Sequence, residues 1–403
     1  MVNRKLNADR DKSTQRIVSL DVFRGLTIAG MILVTDPGTY DHIYSQLRHA
    51  DWMGATATDM IFPSFLFMVG LSIPFSFASR LQAGANRSNL AWHILRRTAI
   101  LFFLGLAING FPYYNLHTLR LPGILQRIAI CYMCSGLLYL YTDFSVAGKE
   151  GSCRAFKLSS VIAIVAFLLL AGYWAMLVWI PVPGVGPGHL DTFGNLPAYV
   201  DRAVLGIKHM WIWGLTPGVG VTYDPEGILS TLPAIASTLI GVLAGEWMRT
   251  NNPGSYKASR LTIAGIVLLV AALLLSHFLP FNKRIWTTTF ALLSSGVALL
   301  LFSFLYIIVD LKKVRWWIFP ALVLGTNAIL AFVFSSVITS LNDLIHITQA
   351  DGKSLTLHQL GYNLSAATGL APINASLAYA ILIVLLNIAL ILPFYYKKIF
   401  VKV

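Results

Sequence analysis

Ten stretches of the chain are apolar over about the 20 residues that an α-helix needs to cross a bilayer. Hydrocarbon offers no water to a backbone, so each such stretch must close its own hydrogen bonds as a helix. The stretches are 18–35, 58–78, 92–110, 122–141, 159–180, 228–248, 260–279, 286–308, 316–339 and 376–396. Composition agrees with this reading, because only 12% of the 403 residues are charged, against a usual ~25%. A soluble fold of that size could not cover its surface with so few charges. The predicted class is therefore all-α, a polytopic integral membrane protein. Residues 1–17 form a polar tail and 18–403 one transmembrane domain. The long connections 181–227 and 340–375 each have room for a short interfacial or re-entrant piece. The polar start, with no small-residue cleavage site behind the first apolar segment, argues for retention of that segment in the membrane.

Charge gives the orientation. With a cytoplasmic N-terminus, 21 Lys and Arg fall on inner segments and 7 on outer ones, the bias expected of topology determinants. This accounts for the net charge of +13 without a nucleic-acid partner. Both termini are then cytoplasmic, and the protein is a multi-pass inner-membrane protein. Asp36, Asp41, Asp51, Asp191, Asp201, Asp224, Glu226, Asp343 and Asp351 fall outside, with most of the histidines. The outer face is thus the titratable one. Cys131 and Cys134 stand one helical turn apart inside an apolar run. With no second ligand pair they read as small packing residues and not as a zinc site, and no metal is expected.

Several polar residues stand where a bland membrane helix would not put them. His49 lies just outside the second span, close to Trp52, and Asp59 sits at that span's start. A neutral imidazole at a membrane boundary can act as a general base; the same residues also suit an interfacial anchor and a helix start. Asp21 and Arg24 are three apart in the first span, either as an ion pair locking helix packing or as charges lining a polar cavity. Gln126 and Arg127 pose the same question in the fourth span. Asp224 and Glu226 stand at the mouth of the sixth, suited to starting a helix or to binding an amine or sugar hydroxyls. Asn282, Lys283 and Trp286 stand at the mouth of the eighth span, where positive charge breaks the inside rule. Asn327 lies within the ninth, as a partner for another helix or as polar support for a site.

These residues fall in six ordered motifs: Ser19-Leu-Asp-Val-Phe-Arg-Gly25, His49-Ala-x-Trp-x-Gly54, Asp59-x-x-Phe-Pro-x-Phe-x-Phe67, Gly123-x-Leu-Gln-Arg127, Asp224-Pro-Glu-Gly-Ile-Leu-Ser-Thr-Leu-Pro233 and Asn282-Lys-x-x-Trp286. Together they resemble the heparan-alpha-glucosaminide N-acetyltransferase family, in its bacterial branch, from about residue 16 to the end. The resemblance implies a transmembrane acetyltransferase that uses acetyl-CoA, with His49 as its active-site histidine. Where the family often carries Asn after the first helix, this chain has Thr35 and Asp36, and the remaining catalytic assignment falls on that pair. Trp52, Asp59, Gln126, Arg127, Asp224, Glu226, Asn282, Lys283 and Trp286 are assigned to the acceptor. Asp21, Arg24, Arg96, Arg97 and Asn327 are assigned to the CoA donor.

The expected reaction moves an acetyl group from acetyl-CoA to an amino sugar or sugar hydroxyl on the external side. His49 serves as base or as a transiently acetylated nucleophile. The expected partners are the bilayer, a small-molecule or glycan acceptor and a second copy of the chain. A glycan-precursor transporter or flippase, or a structural membrane protein without catalysis, would use the same polar residues differently, and bound CoA separates the enzyme from both. For the topology, reporter fusions after Lys257 and Lys402 should read cytoplasmic and one after Asp201 external. A cytoplasmic reading at Asp201 would overturn the ten-span arrangement.

Overall fold

A computed structural model describes residues 17–145, 152–348 and 354–401. The polar tail before Ile17 lies outside the described residues, as do the basic residues Lys149, Lys353 and Lys402 and the acidic Asp351. Among the described residues, nine helices are long and apolar enough to cross a membrane, and one bent pair makes a tenth. The spans are α1 (Val18–Thr35), α2 (Ile61–Gln82), α3 (Arg87–Gly110), α4 (Ile124–Ser145), α5 (Ser152–Trp179), α7 (Thr231–Met248), α8 (Gly254–Leu275), α9 (Thr288–Leu305) and α13 (Pro372–Tyr396).

The tenth span differs from the sequence reading. Residues 316–339 read as one continuous helix, but α10 (Phe319–Thr326) and α11 (Ala328–Leu344) meet at 89°. Asn327 leaves helical geometry at the joint, with φ −125 and ψ 41. Its side-chain oxygen accepts a hydrogen bond from the Val401 N–H at 3.0 Å. A residue whose side chain can take over backbone hydrogen bonding is suited to such a break. The two long connections also carry structure. The first holds α6 (Leu196–Val204) and a ribbon of β1 (Leu215–Thr216) and β2 (Gly220–Val221). The second holds a hairpin of β3 (His346–Thr348) and β4 (Ser354–Thr356), then α12 (Leu357–Ala366).

α2, α4 and α7 form the buried centre, while α3, α5, α8 and α13 turn most of their surface outward, toward lipid. In hydrocarbon, helices associate through close van der Waals packing, which favours small residues at crossings. α2 and α7 cross in this way. A Cβ on Gly70 would stand 1.9 Å from the Thr238 carbonyl oxygen, and one on Gly241 would stand 2.1 Å from that of Phe67. α1 and α10 cross likewise at Gly25 and Gly325. α1 also packs against α2, and residues of α1, α2 and α10 line the cavity described below.

Gly70→Ala should therefore lower stability by at least about 1–3 kcal/mol through overpacking, seen as a lower unfolding temperature in detergent. Gly172→Ala, where a Cβ meets nothing within 4 Å, should leave that temperature unchanged or raise it slightly. Equal behaviour of the two variants would refute the close crossing.

Candidate functional site

His49 follows a short turn at Ser45–Leu47, and Asp59 lies on the turn Thr58–Met60 that leads into α2. The loop between them folds back so that His49 Nδ1 lies 2.7 Å from Asp59 Oδ1. The other carboxylate oxygen accepts the backbone N–H groups of Ala50 (3.1 Å) and Thr56 (3.0 Å). Asp59 is 1% exposed, and a carboxylate so engaged acts only as an acceptor. The imidazole N–H therefore sits on Nδ1, and the Nε2 lone pair is left to take a proton. Burial moves the His49 pKa below its ordinary value. Lys283 and Arg284 push it the same way, and Asp59 opposes them. The balance favours the neutral ring.

The third member arrives from the turn between α8 and α9. Lys283 Nζ lies 3.1 Å from His49 Nδ1, 3.5 Å from His49 Nε2 and 3.6 Å from Asp59 Oδ1. Asn282 supports this placement. It pairs with Gly54 in an isolated bridge, its side-chain oxygen accepts the Ile285 N–H, and its own N–H donates to Thr287 Oγ1. Gly54 has φ +105, a backbone that a glycine adopts without steric cost. Burial lowers the Lys283 ammonium to about 8, with Arg284 adding and Asp59 and Glu226 opposing.

Asp224 and Glu226 do not stand open at the mouth of α7. Arg120 donates to both oxygens of Asp224, at 2.9 and 2.6 Å, and to Glu226 at 2.5 Å. Burial alone would lower the guanidinium pKa, but the two carboxylates hold it above its usual value. Glu226 is held below its usual value by Arg120, Arg127 and Lys283, against its burial. Arg127 is 1% exposed, donates to the Gly227 carbonyl and Ser230 Oγ, and stacks over Trp286. Trp286 is equally buried, edge-on to Phe62 and Phe290, and Gln126 is 3% exposed beside Arg127. These residues anchor the loops on the His49 side to α4 and α9. Trp52 donates to the Leu190 carbonyl and meets Tyr223 edge-on, and Trp211 continues the aromatic shelf with Arg284 over its ring.

Thr35 and Asp36 take their partners elsewhere. Thr35 is exposed, and its carbonyl accepts the Tyr40 hydroxyl. Asp36 is buried among α11 and α12, with Thr339 Oγ1 at 3.5 Å and His358 Nε2 at 4.0 Å. Burial raises its carboxyl pKa, with Asp343 adding and His358 opposing.

A cavity of about 700 Å³ runs beside α2, within the range of small-molecule sites. Its wall includes α2 residues from Ile61 to Arg80, which at 1.5 Å per residue is about 28 Å of helix. Asp21, Arg24, Arg80, His93 and Arg97 gather toward one end. Ile61 and Phe62 line the other, one helical turn or less from Asp59. Arg24 pairs with Asp21 at 3.2 Å and donates to Ser72 Oγ. Arg97 stacks on Tyr132. Arg96 is exposed and outside the wall, and Asn327 is buried at the helix break, between cavity-lining Thr326 and Ala328.

Sequence reasoning chose His49, Asp59 and Lys283 singly, but no periodicity could join residues on separate turns. It passed over Arg120, whose signal was a positive charge on the predicted outer face, the same signal that marked Lys283. It also counted Asp201 only as an outer charge. That carboxyl is 1% exposed, accepts the Ile228 N–H and is pushed up to about 7 by burial, with Asp224 adding.

Comparison with known proteins gives the same answer twice. The family described as "Heparan-alpha-glucosaminide N-acetyltransferase, catalytic" matches residues 16–279. The human heparan-alpha-glucosaminide N-acetyltransferase is 32% identical over 351 residues, 79% of this chain and 52% of that protein. The mouse protein is 30% identical over 362 residues, 82% and 54%. The chain spans about half the length of these curated relatives.

Replacing Arg120 leaves two buried carboxylates without their cation, which typically costs about 3–5 kcal/mol. Arg120→Gln should lower the detergent unfolding temperature well beyond Arg48→Gln, whose exposed pair with Asp51 is worth at most ~1 kcal/mol. Equal melting of the two would refute the ion cluster.

Proposed function

Because the chain belongs to the heparan-alpha-glucosaminide N-acetyltransferase family, we propose that it transfers an acetyl group from acetyl-CoA to an amino sugar, with donor and acceptor approaching from opposite membrane faces. The observation that carries this reading is the course of the cavity. It runs from a cationic end, Arg24, Arg80 and Arg97, to Ile61 and Phe62, next along the chain from Asp59, which holds His49. Guanidinium groups bind phosphate bidentately, so the nucleotide end of CoA belongs at the cationic end. The thioester, at the far end of its arm, belongs near Ile61 and Phe62. By the distribution of basic residues, the cationic end is cytoplasmic and His49 external, in an inner membrane.

Thioester acyl transfer to an amine requires one proton to leave the amine and one to reach the sulfur. His49 Nε2 takes the amine proton as nitrogen attacks the carbonyl carbon. The C–S bond then breaks, and the thiolate takes the proton from His49. Asp59 keeps the ring in the tautomer with Nε2 open and stabilises the imidazolium between the two steps. The shelf of Trp52, Tyr223 and Trp211 offers an aromatic surface beside this point for the acceptor ring.

His49→Ala should leave expression and acetyl-CoA binding intact while transfer to glucosamine falls by roughly the 10²–10⁴ that base catalysis supplies. Acetyl-CoA binding is measured by calorimetry on the detergent-purified chain, and transfer by CoA thiol release. Retention of more than about a tenth of the wild-type rate, well inside that expected loss, would exclude His49 as the base. Acetyl trapped covalently on His49 would replace direct transfer with a two-step route.

A further inference from the structure

Lys283 stands where neither a loop anchor nor a surface acceptor site would need it. Its ammonium is within 3.5 Å of both imidazole nitrogens of His49. It therefore sits over the face of the ring, off the Nδ1–H···Asp59 line. Asp59 Oδ1 accepts the imidazole N–H, and Oδ2 accepts two backbone N–H groups and the Thr56 hydroxyl. The Asp59 oxygen nearest Lys283 is 3.6 Å from Nζ, longer than a good hydrogen bond. The Lys283 side chain is 15% exposed. A sheltered ammonium with three donors, whose nearest anionic oxygen is the Asp59 oxygen at 3.6 Å, holds unused capacity for negative charge.

We propose that Lys283 is a catalytic residue, whose ammonium binds the oxyanion that forms on the acetyl carbonyl beside His49. The proposal rests on the acetyl-transfer reading. When the amine nitrogen bonds to the carbonyl carbon, the C=O electron pair moves onto oxygen. When that pair returns, the C–S bond breaks. Through both steps the negative oxygen lies close to the group hydrogen-bonded to Nε2, and Lys283 Nζ is 3.5 Å from Nε2. The turn that carries Lys283 is fixed before substrate binds. Trp286 N–H donates to the Lys283 carbonyl, Thr287 N–H to that of Asn282, and Asn282 is bridged to Gly54. Donors held in place in this manner act without reorganisation at the moment of reaction.

The charge also sets the working pH. The groups facing His49 are Asp59, Lys283 and Arg284, and those facing Lys283 are Asp59, Glu226, Arg284 and His49 itself. His49 must be neutral and Lys283 protonated. The rate should therefore rise with pH through a His49 pKa below the ordinary 6.5 and fall as Lys283 loses its proton near 8.

The experiment uses the full chain in nanodiscs, with acetyl-CoA and glucosamine, comparing wild type with Lys283→Met, Lys283→Arg and His49→Ala. Removing one oxyanion donor typically costs 10²–10³ in kcat, so Lys283→Met should lose about that factor while KM for acetyl-CoA changes less than about threefold. Lys283→Arg keeps a cation that does not titrate in this range. It should keep more than about a tenth of the rate and lose the alkaline fall. A readout free of any acceptor is diethylpyrocarbonate acylation of His49, located by peptide mass spectrometry. Its half-point should move to higher pH in Lys283→Met, because a neighbouring cation is gone. A loss under tenfold in Lys283→Met, an alkaline fall persisting in Lys283→Arg, or an unmoved half-point would each overturn the proposal. If His49→Ala abolishes transfer and Lys283→Met does not, only the lysine assignment fails. If His49→Ala keeps transfer, the acetyl-transfer mechanism itself fails.

Discussion

The carboxylate of Asp59 organises the end of the molecule that carries His49. A lone carboxylate at 1% exposure would carry a desolvation penalty of several kcal/mol. It is tolerated because Ala50, Thr56, His49 and Lys283 all face it. Those partners come from the loop after α1, the start of α2 and the turn between α8 and α9. Satisfying one charge therefore fixes three segments that are distant in sequence. The imidazole gains its tautomer and orientation from the same bonds, so the setting of the His49 ring and the closure of this end of the bundle share one cause.

A second cluster extends the same logic. Arg120 gathers Asp224 and Glu226, while Arg127 ties the loop at Gly227 and Ser230 to α4 through two hydrogen bonds and a stacked Trp286. Glu226 lies close enough to Lys283 for each to shift the other. The two clusters thus form one electrostatic system in a poorly solvated region, where interactions between charges are strong. This explains why residues that read separately as helix starts, snorkelling cations and packing groups converge in space. Each would be costly alone in an apolar surround.

How much of this could be read beforehand depends on the range of the interaction. Helices in hydrocarbon are set by local run length, and α1 has the bounds 18–35 that its apolar run gives. The break at Asn327 escaped because the apolar run itself continues unbroken, while the partner of the Asn327 side chain, Val401, lies 74 residues away. The motif residues could be chosen because polar groups next to apolar spans are conspicuous. Their pairing could not, since Arg120 and Asp224 are 104 residues apart. Thr35 and Asp36 show the same limit from the other side. They stand next to a span end just as His49 does, yet tertiary packing gives Asp36 to Thr339 and His358. Arg96 and Arg97 are neighbours with the same charge, and helix rotation places only Arg97 on the cavity wall.

The cavity and the Asp59–His49 pair place opposite demands on one membrane. On the acetyl-transfer reading, a donor arm must reach the far face, but an open pore would leak ions. The structure offers a way to meet both. Phe62 lines the His49 end of the cavity, edge-on to the buried Trp286 at 5.6 Å, so the wall nearest Asp59 is apolar. Along the middle, Thr27, Ser72, Ser76 and Thr326 interrupt an otherwise apolar lining. These hydroxyls suit a slender amide-bearing arm better than a hydrated ion, which would lose most of its shell there. On the acetyl-transfer reading, the phosphates remain with the arginines and only the thioester reaches Phe62. The part that must come beside Asp59 and His49 is then the acetyl thioester, small and uncharged, which is the cheapest part of the donor to bring up to a charged site.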